Sequence, residues 1–160
     1  MIKLMAMSAA IAAALLLVAS GAANAGERIE SSGYDACVTD LWDVLELDEG
    51  HSVALYKGRC VTLNDDPSAG DHKSTGECVG IYEFMPDESW KGSGSCTWTG
   101  RDGDKWFLTF EEGSHLDEST YEFTGGTGKL AGATGGGTYV GEELTDALLM
   151  ERYKDVMELP

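Results

Sequence analysis

The sequence predicts an all-β chain, an antiparallel meander stapled by disulfides. Three observations carry this expectation. Glycine is dense and evenly spread: 20 of the 135 residues after Ala25 are glycine, roughly twice the usual share. Between the glycines lie short runs rich in Thr, Val, Tyr, Phe and Trp, the side chains that suit a pleated, half-buried surface. The four cysteines, Cys37, Cys60, Cys78 and Cys96, are spaced almost evenly, and three of them follow a G-x-C pattern.

The elements follow in order. Met1-Ile2-Lys3 is a short positive start, Leu4 to Ala19 is apolar, and Ala23-Asn24-Ala25 has the small-x-small form that a signal peptidase reads. Residues 1–25 are therefore expected to be a signal peptide, with 26–160 a single β-barrel domain in a periplasmic or secreted space. Strands are expected near Ala36–Leu47, Val53–Leu63, Gly76–Met85, Ser89–Thr99, Lys105–Glu111, Thr120–Thr124 and Gly137–Glu142. The connections between them hold Gly, Pro or Asp, residues that accept turn dihedrals. The last segment is ambiguous. Leu144, Ala147, Leu148, Tyr153, Val156, Met157 and Leu159 recur at helical spacing, yet Leu148–Leu159 serves equally as a closing strand that covers the open edge of the first.

Charge and length exclude several functions. Beyond residue 25 the chain carries 28 acids against 10 bases. So acidic a protein repels polyanions, and no nucleic-acid partner is expected. After residue 25 no apolar run is long enough to span a bilayer.

The cysteines can be paired by arithmetic. Residues facing each other across a hairpin have position numbers centred on its turn. Cys37 and Cys60 centre within Asp48-Glu49-Gly50, and Cys78 and Cys96 centre on Asp87 in Pro86-Asp87-Glu88. Cys60 and Cys78 centre in the Asn64–Ser74 loop, so all four are expected side by side across four strands. Strands lie about 4.8 Å apart, and a disulfide needs Cα atoms about 4.4–6.8 Å apart. Pairings that skip a strand fail, and an inner pair leaves the outer two about 14 Å apart. The expected pairs are Cys37–Cys60 and Cys78–Cys96. No C-x-x-C or Cys/His cluster offers a metal site.

Few motifs carry a specific chemistry. Gly125-Gly126-Thr127-Gly128-Lys129-Leu130-Ala131 loosely matches a dinucleotide fingerprint, but the glycines that follow cannot form the helix that the pyrophosphate needs. No cofactor is expected. Asp102-Gly103-Asp104 reads as a tight turn, with weak calcium binding as the alternative. His51, His72 and His115 fall in expected turns or loops and are read as solvated. Glu77, Glu83, Glu111 and Glu122 lie within strands and are expected to face solvent; one facing inward would be an acid/base candidate, because burial raises a carboxyl pKa. Most aromatics are expected in the core. A small closed barrel can leave some of them lining a pocket, and Trp42, Tyr56, Tyr82, Trp98, Trp106 and Tyr121 are the ligand-binding candidates. No catalytic residue is assigned.

The run Gly125–Tyr139, with its G-G-T-G-x-φ-x-x-A-x-G pattern (φ apolar), resembles the glycine-rich segment of the allene oxide cyclase-like and dirigent-like barrels. The stretch Trp90–Cys96, Asp102–Lys105 and the ending Arg152-Tyr153 with Glu158-Leu159-Pro160 look like small secreted bacterial members of that group. The resemblance covers roughly residues 74–160. It implies an eight-stranded antiparallel barrel, with Leu148–Leu159 as the closing strand. It also implies an interior that steers chemistry by confinement: ring closure of an unsaturated fatty-acid epoxide in the plant cyclases, radical coupling in the dirigent barrels. No matching catalytic residues are found outside the glycine segment, which is expected to be a structural corner, so the activity does not carry over. The expected function is binding of a small hydrophobic ligand. The alternatives are a confinement-type cyclase or isomerase, and a structural or protein-interaction barrel with a filled interior. Oligomeric state is not legible in the sequence.

Overall fold

The computed structural model describes residues 26–160; the expected signal peptide lies outside them. Eight strands follow in chain order: β1 (Arg28–Asp48), β2 (His51–Asn64), β3 (Thr75–Phe84), β4 (Trp90–Thr99), β5 (Lys105–Gly113), β6 (Ser119–Gly126), β7 (Thr134–Thr145) and β8 (Leu148–Glu158). Each pairs antiparallel with the next, and β8 returns to β1, closing the barrel. A single 3-10 turn at Gly128–Leu130 sits between β6 and β7.

The C-terminal segment is a strand despite its helical spacing. β8 pairs along Leu148–Glu158 with both β1 and β7. A helix there would leave two rows of backbone donors and acceptors unpaired, and closure removes both edges at once. β1 begins eight residues before the expected start, because Arg28–Asp35 pair with β8. That long-range pairing has no local signature.

Both expected disulfides are present. Cys37 faces Cys60 with Cα atoms 4.0 Å apart, and Cys78 faces Cys96 at 4.1 Å. The single row of four cysteines is not. Cys60 lies opposite Gly76, and Cys78 opposite Gly58, two residues out of register. The reason is the asymmetric loop between β2 and β3. Asn64 Nδ2 donates to both oxygens of Asp71 at 2.9 Å, and its own Oδ1 accepts from the Asp66 amide. These bonds fix the loop in a shape that is not a symmetric hairpin.

Side chains alternate across each strand, so parity decides what enters the barrel. Cys37, Cys60, Cys78, Cys96, Trp98, Trp106, Leu108, Phe110, Phe123, Tyr139 and Tyr153 form the buried inner layer. Inward glycines make room for these rings. Gly76, opposite Trp98, has the indole where a Cβ would stand.

The glycine segment is a corner, as expected. Gly125, Gly128, Gly132 and Gly135 have φ of 136°, 55°, 79° and 97°, conformations that L side chains rarely adopt. Lys129 is exposed and pairs with Asp102 at 3.0 Å. The Asp102-Gly103-Asp104 turn is held from outside itself: Asp104 Oδ2 accepts from the Lys129 amide at 3.0 Å. Among the described residues no group of three or more His, Cys, Asp or Glu is placed to hold a metal ion, and no helix is long and apolar enough to cross a membrane.

Candidate functional site

The barrel is not filled. A cavity of about 1280 Å³ runs through its interior. Twelve of the chain's 14 aromatic residues line it, and all six candidates from the sequence, Trp42, Tyr56, Tyr82, Trp98, Trp106 and Tyr121, are among them. Toward one end Trp42, Tyr56, Tyr82, Phe84 and Trp90 form a chain of ring contacts with centroids 5.1–6.4 Å apart. Elsewhere Trp98 and Trp106 stack at 6.1 Å with planes 6° apart. Spacings of this kind are favourable for aromatic pairs.

The interior also holds carboxylates that sequence reasoning did not place there. Asp35, Glu112, Glu151 and Asp155 point inward, and Asp71 reaches in from the β2–β3 loop. Glu77, Glu83, Glu111 and Glu122 alternate with inward residues and face out. Of the histidines, His51 pairs with Glu83 at 3.0 Å and His72 Nδ1 lies 3.3 Å from the Asn64 carbonyl, so neither is simply solvated.

Two of these acids are held by the same three-strand device. Tyr82, Gly92 and Glu112 lie in one row across β3, β4 and β5. Gly92 has no side chain to block the path, and the Tyr82 hydroxyl donates to Glu112 Oε1 at 3.0 Å. Tyr121, Gly137 and Asp155 repeat it across β6, β7 and β8. There the Tyr121 hydroxyl donates to Asp155 Oδ2 at 2.6 Å. Tyr139 adds a second donor to Glu112 Oε1 at 2.6 Å. Tyr153 donates to Asp71 Oδ2 at 3.0 Å, which Ser31 also reaches at 2.7 Å.

Asp35 and Glu151 are direct cross-strand partners, both facing inward. Like charges directly opposite each other are destabilising. Thr62 donates to Asp35 at 2.6 Å. Glu151 has no such help: the contact its side chain makes at hydrogen-bond geometry is to Cys37 Sγ at 3.8 Å, a disulfide sulfur with no proton to give.

Burial and crowding move these acids upward. Burial, more than the hydrogen bond from Thr62 lowers it, pushes Asp35 up to about 7, with Asp155 and Asp71 adding repulsion. Burial pushes Glu151 up to about 8, helped by Asp35 and Glu112. Burial raises Asp155 to about 6, against the bond from Tyr121, and raises Glu112 against its two tyrosine donors. Burial likewise pushes the Tyr56 hydroxyl up to about 12 and Tyr82, Tyr121, Tyr139 and Tyr153 upward, so every phenol in the cavity is a neutral donor. Such an interior can bind an apolar body, offer hydrogen bonds, and exchange protons near neutral pH.

The fold is that of the dirigent-like barrels. The pterocarpan synthase dirigent protein GePTS1 superposes with a TM-score of 0.58 at 12% identity, over 98% of this chain and 97% of that one. The pterocarpan synthase dirigent protein PsPTS1 gives 0.55 at 12% identity, over 83% and 96%. A protein of unknown function from the DUF3224 family of Shewanella oneidensis MR-1 gives 0.52 at 10% identity, over 81% and 96%. These similarities support the dirigent half of the sequence resemblance and not the cyclase half; at such identities they carry the fold alone. No protein-family model matches the chain, and no curated protein does.

Proposed function

We propose that this protein is exported and binds a small hydrophobic ligand inside its barrel, with Trp42, Tyr56, Tyr82, Trp98, Trp106 and Tyr121 as contacts. One observation carries the reading: an aromatic-lined cavity of about 1280 Å³, at or above the upper end of typical ligand pockets. The same volume weighs against the filled-interior alternative. Two disulfides fit an oxidising compartment, where such bonds persist, and the Ala23-Asn24-Ala25 ending supplies the export signal. The test is native mass spectrometry of protein purified from its own host, followed by extraction and identification of any bound small molecule. A stoichiometric organic ligand is the expected result. Ligand-free protein whose tryptophan fluorescence shows no saturable response to 2-naphthylmethanol would reject the reading.

A second reading is favoured by a separate observation. The Tyr–Gly–acid rows place proton donors and acceptors on the cavity wall, 2.6–3.0 Å apart within each pair. A confinement-type isomerase or cyclase needs a shaped cavity and a group that exchanges a proton with the bound molecule. The two dirigent proteins of similar fold are named as pterocarpan synthases, and enclosed ring-forming chemistry fits this interior. Incubation with the extracted ligand, followed by chromatography for an isomer of equal mass, tests this reading.

A further inference from the structure

We propose that the ligand of this barrel is an organic cation, an apolar or aromatic body with one ammonium head seated between Asp35 and Glu151. The inference rests on the reading of the barrel as a binding protein and names the chemical class that the cavity selects. Its first support is the sign of the wall. Thirteen carboxylate residues line the cavity and its mouths, seven of them exposed and six partly buried, and the one lysine or arginine among its described lining residues is Lys129, whose ammonium is already paired with Asp102. A low-dielectric cleft lined by one sign of charge concentrates ions of the other.

The second support is independent of charge counting. Glu151 is partly buried in the barrel wall, its carboxylate receives no hydrogen bond from an N–H or O–H of the described residues, and its remaining surface opens on the cavity. A partly desolvated carboxylate left without a protein donor gains from any donor that a ligand brings. Asp35 stands directly across the strand pair. An ammonium between the two would satisfy Glu151 and relieve their repulsion in one step. Among the described residues no group of three or more His, Cys, Asp or Glu is placed to hold a metal ion, and the aromatic wall favours a cation that brings its own apolar surface. The aromatic lining suits such a body, and ring faces attract ammonium groups as well.

The groups facing this position come from most of the barrel: Asp35 from β1, Tyr56 from β2, Asp71 from the β2–β3 loop, Tyr82 from β3, Glu112 from β5, Tyr121 from β6, Tyr139 from β7, and Tyr153 and Asp155 beside Glu151 on β8. None of them carries a positive charge. Seating a cation here favours the ionised carboxylates, so binding near neutral pH should release a proton to the buffer.

Three probes of one shape test the charge: 2-naphthylmethylamine, 2-naphthylmethanol and 2-naphthoate, titrated calorimetrically near neutral pH. The amine should bind roughly tenfold or more tightly than the alcohol, and the naphthoate more weakly than either. The heat of amine binding should vary with the ionisation enthalpy of the buffer, and that of the alcohol should not. Glu151→Gln, and independently Asp35→Asn, should bring the amine-to-alcohol ratio down to within about twofold. Glu111→Gln, the same charge change on an outward side chain, should leave the ratio as it is. Near-UV circular dichroism confirms the fold of each variant, and either interior variant suffices. Alcohol binding as tightly as amine, or a ratio indifferent to both interior variants, overturns the cation proposal and leaves the apolar-ligand reading standing. If none of the three probes binds, both readings fall.

Discussion

The two sides of the barrel wall obey one geometry and are built from opposite materials. Where β3, β4 and β5 meet, Cys78, Cys96, Trp98, Trp106, Leu108 and Phe110 form a buried apolar block, and the one acid these strands turn inward, Glu112, is held by Tyr82 and Tyr139. Where β8 meets β1, the inward positions include Asp35, Glu151, Tyr153 and Asp155. The first side stabilises the barrel by disulfide, ring stacking and burial. The second costs stability, because it encloses carboxylates without a lysine or arginine among them. A chain selected only to fold would repeat the first side all the way round. The contrast marks the β8–β1 seam as the place where the interior departs from what stability favours, and the proposed cation site is set there.

The largest expected effect falls on the apolar side. Cys78→Ser breaks the β3–β4 staple and strands Cys96 in the core, and should lower stability by about 2–5 kcal/mol, read as a fall in the urea midpoint. An unchanged midpoint would mean that this side is held by packing alone.

The seam should respond in the opposite sense. Asp35 and Glu151 have folded pKa values near 7 and 8, above their ordinary carboxyl values. Over the window between those limits the folded chain holds protons that the unfolded chain has released. Stability therefore falls as pH rises from about 4 to about 8, by up to about 1.4 kcal/mol per pH unit for each group. Differential scanning calorimetry should give a higher Tm at pH 5 than at pH 8. Glu151→Gln should flatten that slope and raise the Tm at pH 8. The exposed pairs act in a separate window: Asp65, held down to about 2 by hydrogen bonds from Arg152 and Ser32, contributes stability that is lost only as pH falls below about 4. A Tm that rises steadily to pH 8 would contradict the charge assignment at the seam.

The glycine corner should rank below both. Gly128 has φ of 55° and lies against the Asp104 carboxylate. Gly128→Val should destabilise by more than about 1 kcal/mol in a thermal melt. The neighbouring Lys129→Ala removes an exposed ion pair and should stay within about 0.5 kcal/mol. Equal effects from the two would mean that the corner is held by its charge and not by its backbone.

Much of the fold was legible because it is encoded locally. Strand-length runs of β-formers, turn residues between them and two short hairpins with centred cysteines are all properties of adjacent residues. The register slip between β2 and β3 was not, because it depends on Asn64, Asp66 and Asp71 bonding to one another across the loop. The interior acids were within reach of parity. Once Cys37 is inward, Asp35 is inward too; once Phe110 is inward, so is Glu112. They were missed because Asp35 fell before the expected start of the first strand, Glu112 in an expected turn, and Glu151 and Asp155 in the segment that read as helix or strand.

By itself, then, the sequence determined the all-β class, the two disulfides and the glycine corner, since each rests on residues near one another in the chain. Its eight-stranded closure came through resemblance. Only the tertiary structure decided that the interior is open and acidic. Barrel closure brings β8 against β1, sets Asp35 opposite Glu151, and lets Tyr121 reach Asp155 across Gly137. Those pairs come from strands far apart in the chain, and no local preference encodes which of their faces meets which.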